Sequence, residues 1–291
     1  MKNFSLDFLV LGAQKSATTW FFECLKKHSL ISMPNKKKEV EYIGGDLWKK
    51  YGDQWYFNLF NDCNGVIFGD VSVDYICNNE SPKLLYERFP NLKLIISLRN
   101  PVDRAISAYY WNYRKGNIDT NLSINEYFYT QIKNYKNDKN LFSVLNRGLY
   151  EKQIFNYLEY FHPNQFKIIF YDHIKINQKK VLYSLYDFLN IRAEKKPIFY
   201  KIMPKLNSRN RILLDIEKKY NGNKILVKGL QLLHNLFYFM NFSQKISLDE
   251  LEARIILDEF YKPHNVILNK FLIKEELVDI NSIQNIKWLC D

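Results

Sequence analysis

Three short, nearly continuous apolar runs lie along the chain. An apolar run of this length indicates a strand that is buried on both faces of a sheet. The predicted strands are Phe4–Leu11, Leu92–Leu98 and Gln165–Tyr171. Between and after them, apolar residues recur at the spacing of an amphipathic helix. The predicted helices are Thr18–His28, Val102–Arg114, Ser123–Tyr135, Gly148–Phe161, Gln178–Leu189, Arg209–Tyr220, Gly229–Phe242 and Asp249–Tyr261, the last of which ends before Pro263.

Strands that alternate with helices predict an α/β fold, in which a central, mainly parallel sheet is flanked by helices on both faces. No internal repeat or low-complexity linker divides the 291 residues. We therefore predict a single domain over residues 1–291, whose C-terminal helical part, residues 205–291, packs on or caps the site. Because ligands of such sheets bind beyond the carboxyl ends of the strands, the loops that follow the strands are the places to look for chemistry.

The composition is that of a folded and strongly basic chain. Hydrophobic residues make up 47%, and only 10 glycines and 8 prolines are present, which excludes a fibrous or disordered chain. With 42 basic and 31 acidic side chains, the formal charge is +11. This excess suits a polyanion but does not choose among nucleic acid, an acidic membrane surface, a phosphorylated cofactor and an acidic saccharide. Four scattered cysteines form no Cys-x-x-Cys pair, so no zinc or redox motif is predicted.

The sequence also bears on location. No apolar run reaches the roughly 18 residues of a membrane span. Asp7 interrupts the apolar N-terminal stretch, so neither a signal peptide nor a stalk anchor is predicted. We expect a soluble, cytoplasmic protein. The segment Gly229–Phe242, which is rich in Leu and Phe and flanked by lysines, leaves peripheral membrane contact open, although a core or lid helix explains it more simply.

The first candidate site follows the first predicted strand. Its residues are Gly12, Ala13, Gln14, Lys15, Ser16, Ala17, Thr18, Thr19 and Trp20. A turn between a strand and a helix presents free backbone N–H groups and the positive end of the helix dipole, which together favour an anion. Nucleotide kinases carry G-x-x-x-x-G-K-[ST] here, but Gln14 precedes Lys15, and Gly12 lies only three residues before that lysine. The segment therefore favours a compact loop that holds one phosphate.

The second candidate site begins where another predicted strand ends. Arg99 stands at that strand end, and Ser107 lies two turns into the following helix, so both side chains can converge on one anionic group. A guanidinium binds phosphate through two parallel hydrogen bonds, and the hydroxyl adds a donor. Alone, the segment is also compatible with a structural helix cap. Beside the first loop, it predicts a site with two phosphate anchors.

Both segments resemble the motifs by which sulfotransferases bind 3′-phosphoadenosine 5′-phosphosulfate (PAPS). The string K-S-A-T-T-W resembles the 5′-phosphosulfate loop, G-x-x-K-[ST]-[GA]-T-[ST], and Arg99 with Ser107 is similar to the 3′-phosphate motif. Weaker similarities place Tyr150 in a G-x-Y helix and Asn207 in an N-x-S loop of bacterial members. The resemblance implies a P-loop-like three-layer fold, PAPS as donor, no required metal, and Lys15 as the charge on the departing phosphate. The implied PAPS contacts are Gly12, Lys15, Ser16, Ala17, Thr18, Thr19, Trp20, Lys38, Arg99, Ser107, Tyr150, Asn207, Ser208 and Arg209.

Two further segments are assigned to the acceptor side. Residues 38–43 resemble the K-E-x-x-[FY]-[FI] segment of glycosaminoglycan sulfotransferases, which implies Glu39 as general base and Lys38 as a PAPS contact. Those enzymes often carry His where this chain has Glu41. Whether Glu41 contacts the acceptor therefore stays open. The alternative interpretation of the whole segment is a solvated charged loop. Glu41 is the second candidate base. Residues 69–75 resemble a segment that reaches the acceptor cleft, where Asp70 either orients an acceptor hydroxyl or caps the strand end.

These observations predict an enzyme that moves a sulfuryl group from PAPS to a hydroxyl or amine by in-line displacement. The basic charge and the K-E segment favour a saccharide or glycolipid acceptor. No nucleic-acid partner is expected, because the sequence carries no zinc-finger, RNP or helix-turn-helix signature. Two alternatives stay open: a P-loop-type nucleotide kinase, and a non-enzymatic protein that binds polyanions. The sequence determines neither the acceptor nor the oligomeric state.

Overall fold

The computed structural model describes residues 5–34, 38–40, 42–43, 46–60, 65–119, 121–138, 143–194, 229 and 247–290. Two compact units are distinguished: the first comprises Met1–Pro101, Arg147–Ile202 and Lys262–Asp291, and the second Val102–Asn146 and Met203–Tyr261. The predicted helix Arg209–Tyr220, most of Gly229–Phe242, and the site residues Glu41, Asn207, Ser208 and Arg209 lie outside the described residues. The single domain stays a prediction.

The first unit is built on a parallel sheet. Its strands among the described residues are β1 (Phe8–Gly12), β2 (Ile31–Ser32), β3 (Ile67–Val71), β4 (Lys93–Leu98) and β5 (Phe166–Phe170). Their order is β2-β3-β1-β4-β5, and every pairing is parallel. Because the strands that follow β1 lie first on one side of it and then on the other, the topological switch point falls at the carboxyl end of β1, where ligands of such sheets bind.

Alternate residues of the central strands supply two separate cores. Leu9 and Leu11 of β1 belong to one buried cluster, whereas Phe8 and Val10 belong to the other. Successive side chains of a strand point to opposite faces, so each cluster marks one face of the sheet. The predicted arrangement of a parallel sheet between helical layers is confirmed.

The helices among the described residues are α1 (Thr18–Leu25), α2 (Asp46–Asn58), α3 (Ser81–Arg88), α4 (Pro101–Lys115), α5 (Ile124–Asn137), α6 (Tyr150–Leu158), α7 (Tyr171–Ile176), α8 (Gln178–Leu189), α9 (Leu248–Lys274), α10 (Ile280–Ile283) and α11 (Lys287–Cys290). The predicted end of the last long helix at Tyr261 is wrong, because α9 continues through Pro263. Proline inside a helix costs about 3 kcal/mol. Burial of Leu268 and Leu272, which are at most 1% exposed, offsets that cost.

Helices dominate the second unit. Residues of α4, α5 and the first part of α9 supply buried side chains such as Ile106, Phe128 and Leu257. Arg254 of α9 donates to Asp103 of α4 over 2.9 Å and to Glu250 over 3.0 Å. Across the part of the chain that the structure describes, no helix combines the length and apolarity needed to cross a membrane.

Candidate active site

The loop after β1 is fastened to the neighbouring strand β4. The backbone N–H of Ala13 donates to the carbonyl of Ser97 over 2.8 Å, and the Ser97 hydroxyl donates to the carbonyl of Ser16 over 2.7 Å. Arg99, just beyond β4, donates from Nη1 to the carbonyl of Lys15 over 2.9 Å. The two predicted phosphate segments are therefore hydrogen-bonded to each other at adjacent strand ends.

This loop has the conformation of an anion-binding turn. Lys15 and Ala17 have φ values of 70° and 65°, and left-handed residues in a turn direct successive N–H groups toward one concave side. Helix α1 follows without a side-chain hydrogen bond to its N-terminal N–H groups. The hydroxyl of Ser16 is buried and has no hydrogen-bond partner among the described residues. Since buried polar groups normally have partners, these donors fit an anionic group from outside the chain.

Gly12 is required at the start of the loop for two reasons. Its φ is +143°, which side chains rarely allow. An added Cβ would also lie 3.1 Å from the Ile76 side chain and 3.3 Å from the carbonyl of Val73.

Arg99 is held from three directions. Its guanidinium lies 4.8 Å from the centre of the Tyr171 ring, Nη1 is bonded to the loop, and the Tyr150 hydroxyl donates to its backbone carbonyl over 2.9 Å. Its Nε is buried without a hydrogen-bond partner among the described residues, so the guanidinium retains a donor for a ligand. Tyr150, predicted as a PAPS contact, thus positions Arg99 through its hydroxyl. Ser107 is half-buried in α4 and belongs to the second unit, so its convergence with Arg99 stays a prediction.

The segment with the candidate base is joined to the phosphate loop. Lys38 Nζ donates to Thr18 Oγ1 over 3.1 Å and to Glu39 Oε1 over 2.6 Å. The Glu39 N–H donates to the carbonyl of Val71, at the end of β3, over 2.9 Å. The Glu39 side chain is 39% exposed and the Lys38 side chain 18%. Lys38 and Glu39 are therefore not a freely solvated charge run but lie beside the start of α1 with a partly accessible carboxylate.

Asp70, the predicted acceptor contact, is fully buried at the end of β3. Its Oδ1 accepts from the N–H of Val71 over 2.6 Å, and its Oδ2 accepts from the hydroxyls of Ser72 at 3.1 Å and Tyr56 at 3.3 Å. Burial raises the pKa of Asp70 to about 6, these donors oppose the increase, and the charge of Glu39 adds to it. Because both oxygens are engaged inside the protein, this geometry favours the strand-end cap over a direct acceptor contact.

The remaining predicted contacts differ in accessibility. Thr18 is 6% exposed and Thr19 is exposed, while Trp20 lies in the core and donates from Nε1 to Gln178 over 3.1 Å. The sequence reasoning missed Tyr56 and Tyr171, which contact Asp70 and Arg99. Tyr171 is the last residue of the predicted strand Gln165–Tyr171, and this position was the one local signal for it, since the ends of parallel strands meet at one edge.

Comparison with known proteins finds sulfotransferases both by sequence and by fold. A family model described as "Sulfotransferase domain" matches residues 5–203. The chain is 26% identical over 292 aligned residues to a bifunctional heparan sulfate N-deacetylase/N-sulfotransferase of Drosophila melanogaster (92% of this chain, 26% of the relative). It is 28% identical over 283 residues to bifunctional heparan sulfate N-deacetylase/N-sulfotransferase 4 of Mus musculus (91% and 30%). The chain thus spans less than a third of the length of these relatives. A solved sulfotransferase from Alicyclobacillus acidocaldarius matches with a TM-score of 0.58 at 23% identity, covering 78% of this chain and 96% of the other, which shows the fold.

Proposed function

The chain belongs to the sulfotransferase domain family, and from this premise we propose that it transfers a sulfuryl group from PAPS to a carbohydrate acceptor. The observation that supports PAPS as the donor is the pair of anion-binding elements at adjacent strand ends. The turn at residues 12–18 offers N–H groups and the buried hydroxyl of Ser16, and Arg99 offers a guanidinium that is hydrogen-bonded to that turn. Two separate anchors suit PAPS, which carries phosphate at both its 5′ and 3′ positions.

Each of the two anchors is assigned a different phosphate of PAPS. We assign the 5′-phosphosulfate to the turn, where Lys15, Ser16 and Thr18 surround the uncapped start of α1. Arg99 takes the 3′-phosphate through its remaining donors. Lys38, bonded to Thr18, adds charge at the 5′ side.

Glu39 serves as the base in this proposal. The acceptor O–H or N–H gives its proton to Glu39 while a new bond forms from the acceptor atom to sulfur. The bond from sulfur to the 5′-phosphate oxygen breaks, and Lys15 neutralises the charge that develops on that oxygen. Support comes from Lys38, which bonds both Thr18 of the phosphate loop and Glu39.

An acidic saccharide is the acceptor class that we propose. The formal charge of +11 favours association with a polyanion, and the two relatives are named for heparan sulfate N-sulfotransfer. The chain spans less than a third of the length of those relatives, so experiment has to decide between an amine and a hydroxyl acceptor.

Thermal unfolding in the presence of nucleotides tests whether the chain binds PAP in preference to ATP. We expect 3′-phosphoadenosine 5′-phosphate (PAP) with EDTA to raise the melting temperature, because a ligand that binds only the folded state stabilises it. ATP with Mg²⁺ should raise it less, and Arg99→Ala should remove most of the PAP effect. A larger shift with ATP and Mg²⁺ would favour the kinase, and a shift with heparin but neither nucleotide would favour a non-enzymatic polyanion binder.

Transfer assays with matched polysaccharides test the acceptor. Sulfur-35 from labelled PAPS is followed into N-desulfated heparan sulfate, which offers free amines, and into N-acetylated heparan sulfate, which offers hydroxyls only. Incorporation into the first alone indicates N-sulfation, and incorporation into both indicates O-sulfation. Absence of incorporation into either polysaccharide, together with normal PAP binding, would refute this acceptor class while leaving the donor intact.

A further inference from the structure

Trp288, on the C-terminal helix α11, contacts residues that surround Arg99. Its ring packs edge to face on Tyr150, with 6.5 Å between the ring centres, and on Phe170, with 6.2 Å. Its Nε1 donates to Asp172 Oδ2 over 3.2 Å. All of these residues belong to the first compact unit. No step of the proposed reaction uses Trp288, so its contacts call for a separate explanation.

One of these contacts bears on the backbone of Arg99. The ring of Tyr150 is fully buried, and its hydroxyl donates to the carbonyl of Arg99 over 2.9 Å. Close packing leaves a buried ring little room to shift. The indole of Trp288 at the edge of the Tyr150 ring therefore helps to fix the hydroxyl that holds this backbone.

The other two contacts bear on the guanidinium of Arg99. This group lies 4.8 Å from the centre of the Tyr171 ring. Trp288 contacts both sequence neighbours of Tyr171, because Phe170 ends β5 and Asp172 lies in the first turn of α7. A single indole thus holds the backbone on either side of Tyr171, which restricts where its ring can lie.

The segment that carries Trp288 is itself fixed to the core. Ile286 and Leu289, which flank Trp288, are buried in one of the two clusters of the sheet. The acceptor of the indole N–H is also held, because Asp172 Oδ1 pairs with Lys175 Nζ at 3.4 Å. Support for a binding group is effective only where the supporting side chains are themselves locked in place.

We propose that Trp288 is a positioning residue for the 3′-phosphate anchor. Its ring and its N–H hold Tyr150 and the segment Phe170–Asp172, and so keep Arg99 oriented before the donor binds. A guanidinium that is oriented in advance binds phosphate at a lower entropic cost. The inference rests on the proposed function, in which Arg99 binds the 3′-phosphate of PAPS. It gives the C-terminal helix a part in selecting a donor that carries this phosphate.

The test compares two ligands that differ only in the 3′-phosphate, namely PAP and adenosine 5′-phosphate (AMP). Isothermal titration of the full chain gives a Kd for PAP, and competition with PAP gives the Kd for AMP. We expect Trp288→Ala to raise the Kd for PAP about tenfold, which corresponds to roughly one charge-assisted hydrogen bond, and that for AMP less than about twofold. Trp288→Phe keeps a ring against Tyr150 and Phe170 but loses the N–H, so the Kd for PAP should rise only about threefold.

Trp48→Ala is the matched control. Trp48 is half-buried against the same cluster as Trp288, and its Nε1 also donates to an aspartate, Asp53, over 2.8 Å. It lies on α2, however, and its cationic neighbour is Arg88 instead of Arg99. The ratio of the two dissociation constants should therefore stay at the wild-type value, whatever happens to the melting temperature.

An unchanged ratio in Trp288→Ala overturns the proposal. This holds whether both dissociation constants stay at the wild-type value or rise by the same factor, because a general loss of packing does not single out the 3′-phosphate. If Trp288→Ala does not fold, Trp288→Phe decides the question, and a wild-type ratio in that variant overturns the proposal.

The same titrations separate this inference from the function on which it rests. A wild-type chain that binds AMP as tightly as PAP, or an Arg99→Ala variant that retains the preference for PAP, refutes the assignment of Arg99 and this inference with it. A preference that is lost in Arg99→Ala but kept in both Trp288 variants overturns the role of Trp288 alone. Loss in Arg99→Ala and Trp288→Ala, with partial loss in Trp288→Phe, supports both.

Discussion

The cations of the candidate site are held in place by the protein itself. Arg99 stacks on Tyr171 and donates to the carbonyl of Lys15, and Lys38 is bonded to Thr18 and Glu39. Charges that are oriented in advance need little rearrangement when a phosphate binds or a leaving group departs. At the residue scale, we therefore expect the loss of each cation to have a different effect.

We predict that Lys15→Ala and Arg99→Ala each reduce transfer by about 10²-fold or more. Lys15→Ala should act mainly on kcat, by about 10²-fold or more, because it removes charge at the departing phosphate. Arg99→Ala should also weaken PAP binding, and Arg99→Lys should restore it only in part, because lysine lacks the planar pair of donors. Isothermal titration with PAP and steady-state rates measure both effects. Lys274→Ala, whose side chain is 81% exposed, is the control, and wild-type rates in either site variant would contradict the assignment.

At the scale of elements, helices α5 and α1 differ in how their N-termini are capped. Helix α5 begins with a complete capping box, in which Ser123 Oγ accepts from the N–H of Glu126 and the Glu126 carboxylate accepts from the N–H of Ser123. Helix α1 has no side-chain cap. The uncapped start of α1 leaves its N–H groups available for the anion that the proposed function assigns to them. An uncapped start is not specific to a binding site, since α3, α6 and α7 also begin without a side-chain cap.

Ser123→Ala tests the capped helix. We expect the free energy of unfolding to fall by about 1 kcal/mol, because the N–H groups of the first turn lose an acceptor. Urea titration followed by circular dichroism measures it, with Ser184→Ala as the control, since that hydroxyl donates within α8 and caps no helix. PAP binding should be unchanged in both variants. Equal stability of Ser123→Ala and the wild type would show that the box contributes nothing.

At the scale of the whole molecule, burial of Asp70 makes stability depend on pH. Its pKa is raised to about 6 in the folded chain, above the value of roughly 3.9 for an unfolded aspartate. Between these values the folded state binds more protons than the unfolded state, so the contribution of Asp70 to stability decreases as pH rises from about 4 to about 6. Above that range the ionised carboxylate opposes folding.

Asp70→Asn should therefore be more stable than the wild type at pH 7.5, by up to about 3 kcal/mol. The difference should disappear near pH 4, where the wild-type carboxylate is protonated in the folded state. Chemical denaturation across this range measures it, and Asp187→Asn, which removes an exposed carboxylate on α8, should show no such dependence. A variant that is less stable than the wild type at pH 7.5 would contradict the expected sign of the stability change.

Some features of the fold and site were predictable because the residues that determine them are neighbours in the sequence. The run Phe8–Leu11 and the polar loop after it lie next to each other in sequence, so both strand and phosphate turn follow from local pattern. Strand β3 was not predicted from periodicity, because Ile67–Val71 includes a glycine and an aspartate. Its Gly69 is there for packing: an added Cβ would lie 1.9 Å from the Phe8 ring of β1. The continuation of α9 through Pro263 was missed because the compensating burial is tertiary.

The sequence by itself determined the α/β class, the turn after β1 and Arg99 at the end of β4, because each depends on residues close together in the chain. Only the tertiary structure decided that Lys38 joins Glu39 to Thr18, that Tyr171 supports Arg99, and that Asp70 is buried. These relations join residues brought together by parallel strand pairing, which places the carboxyl ends of distant strands at one edge. Burial changes the chemistry of a side chain, as the raised pKa of Asp70 shows, and it arises only when the chain is folded.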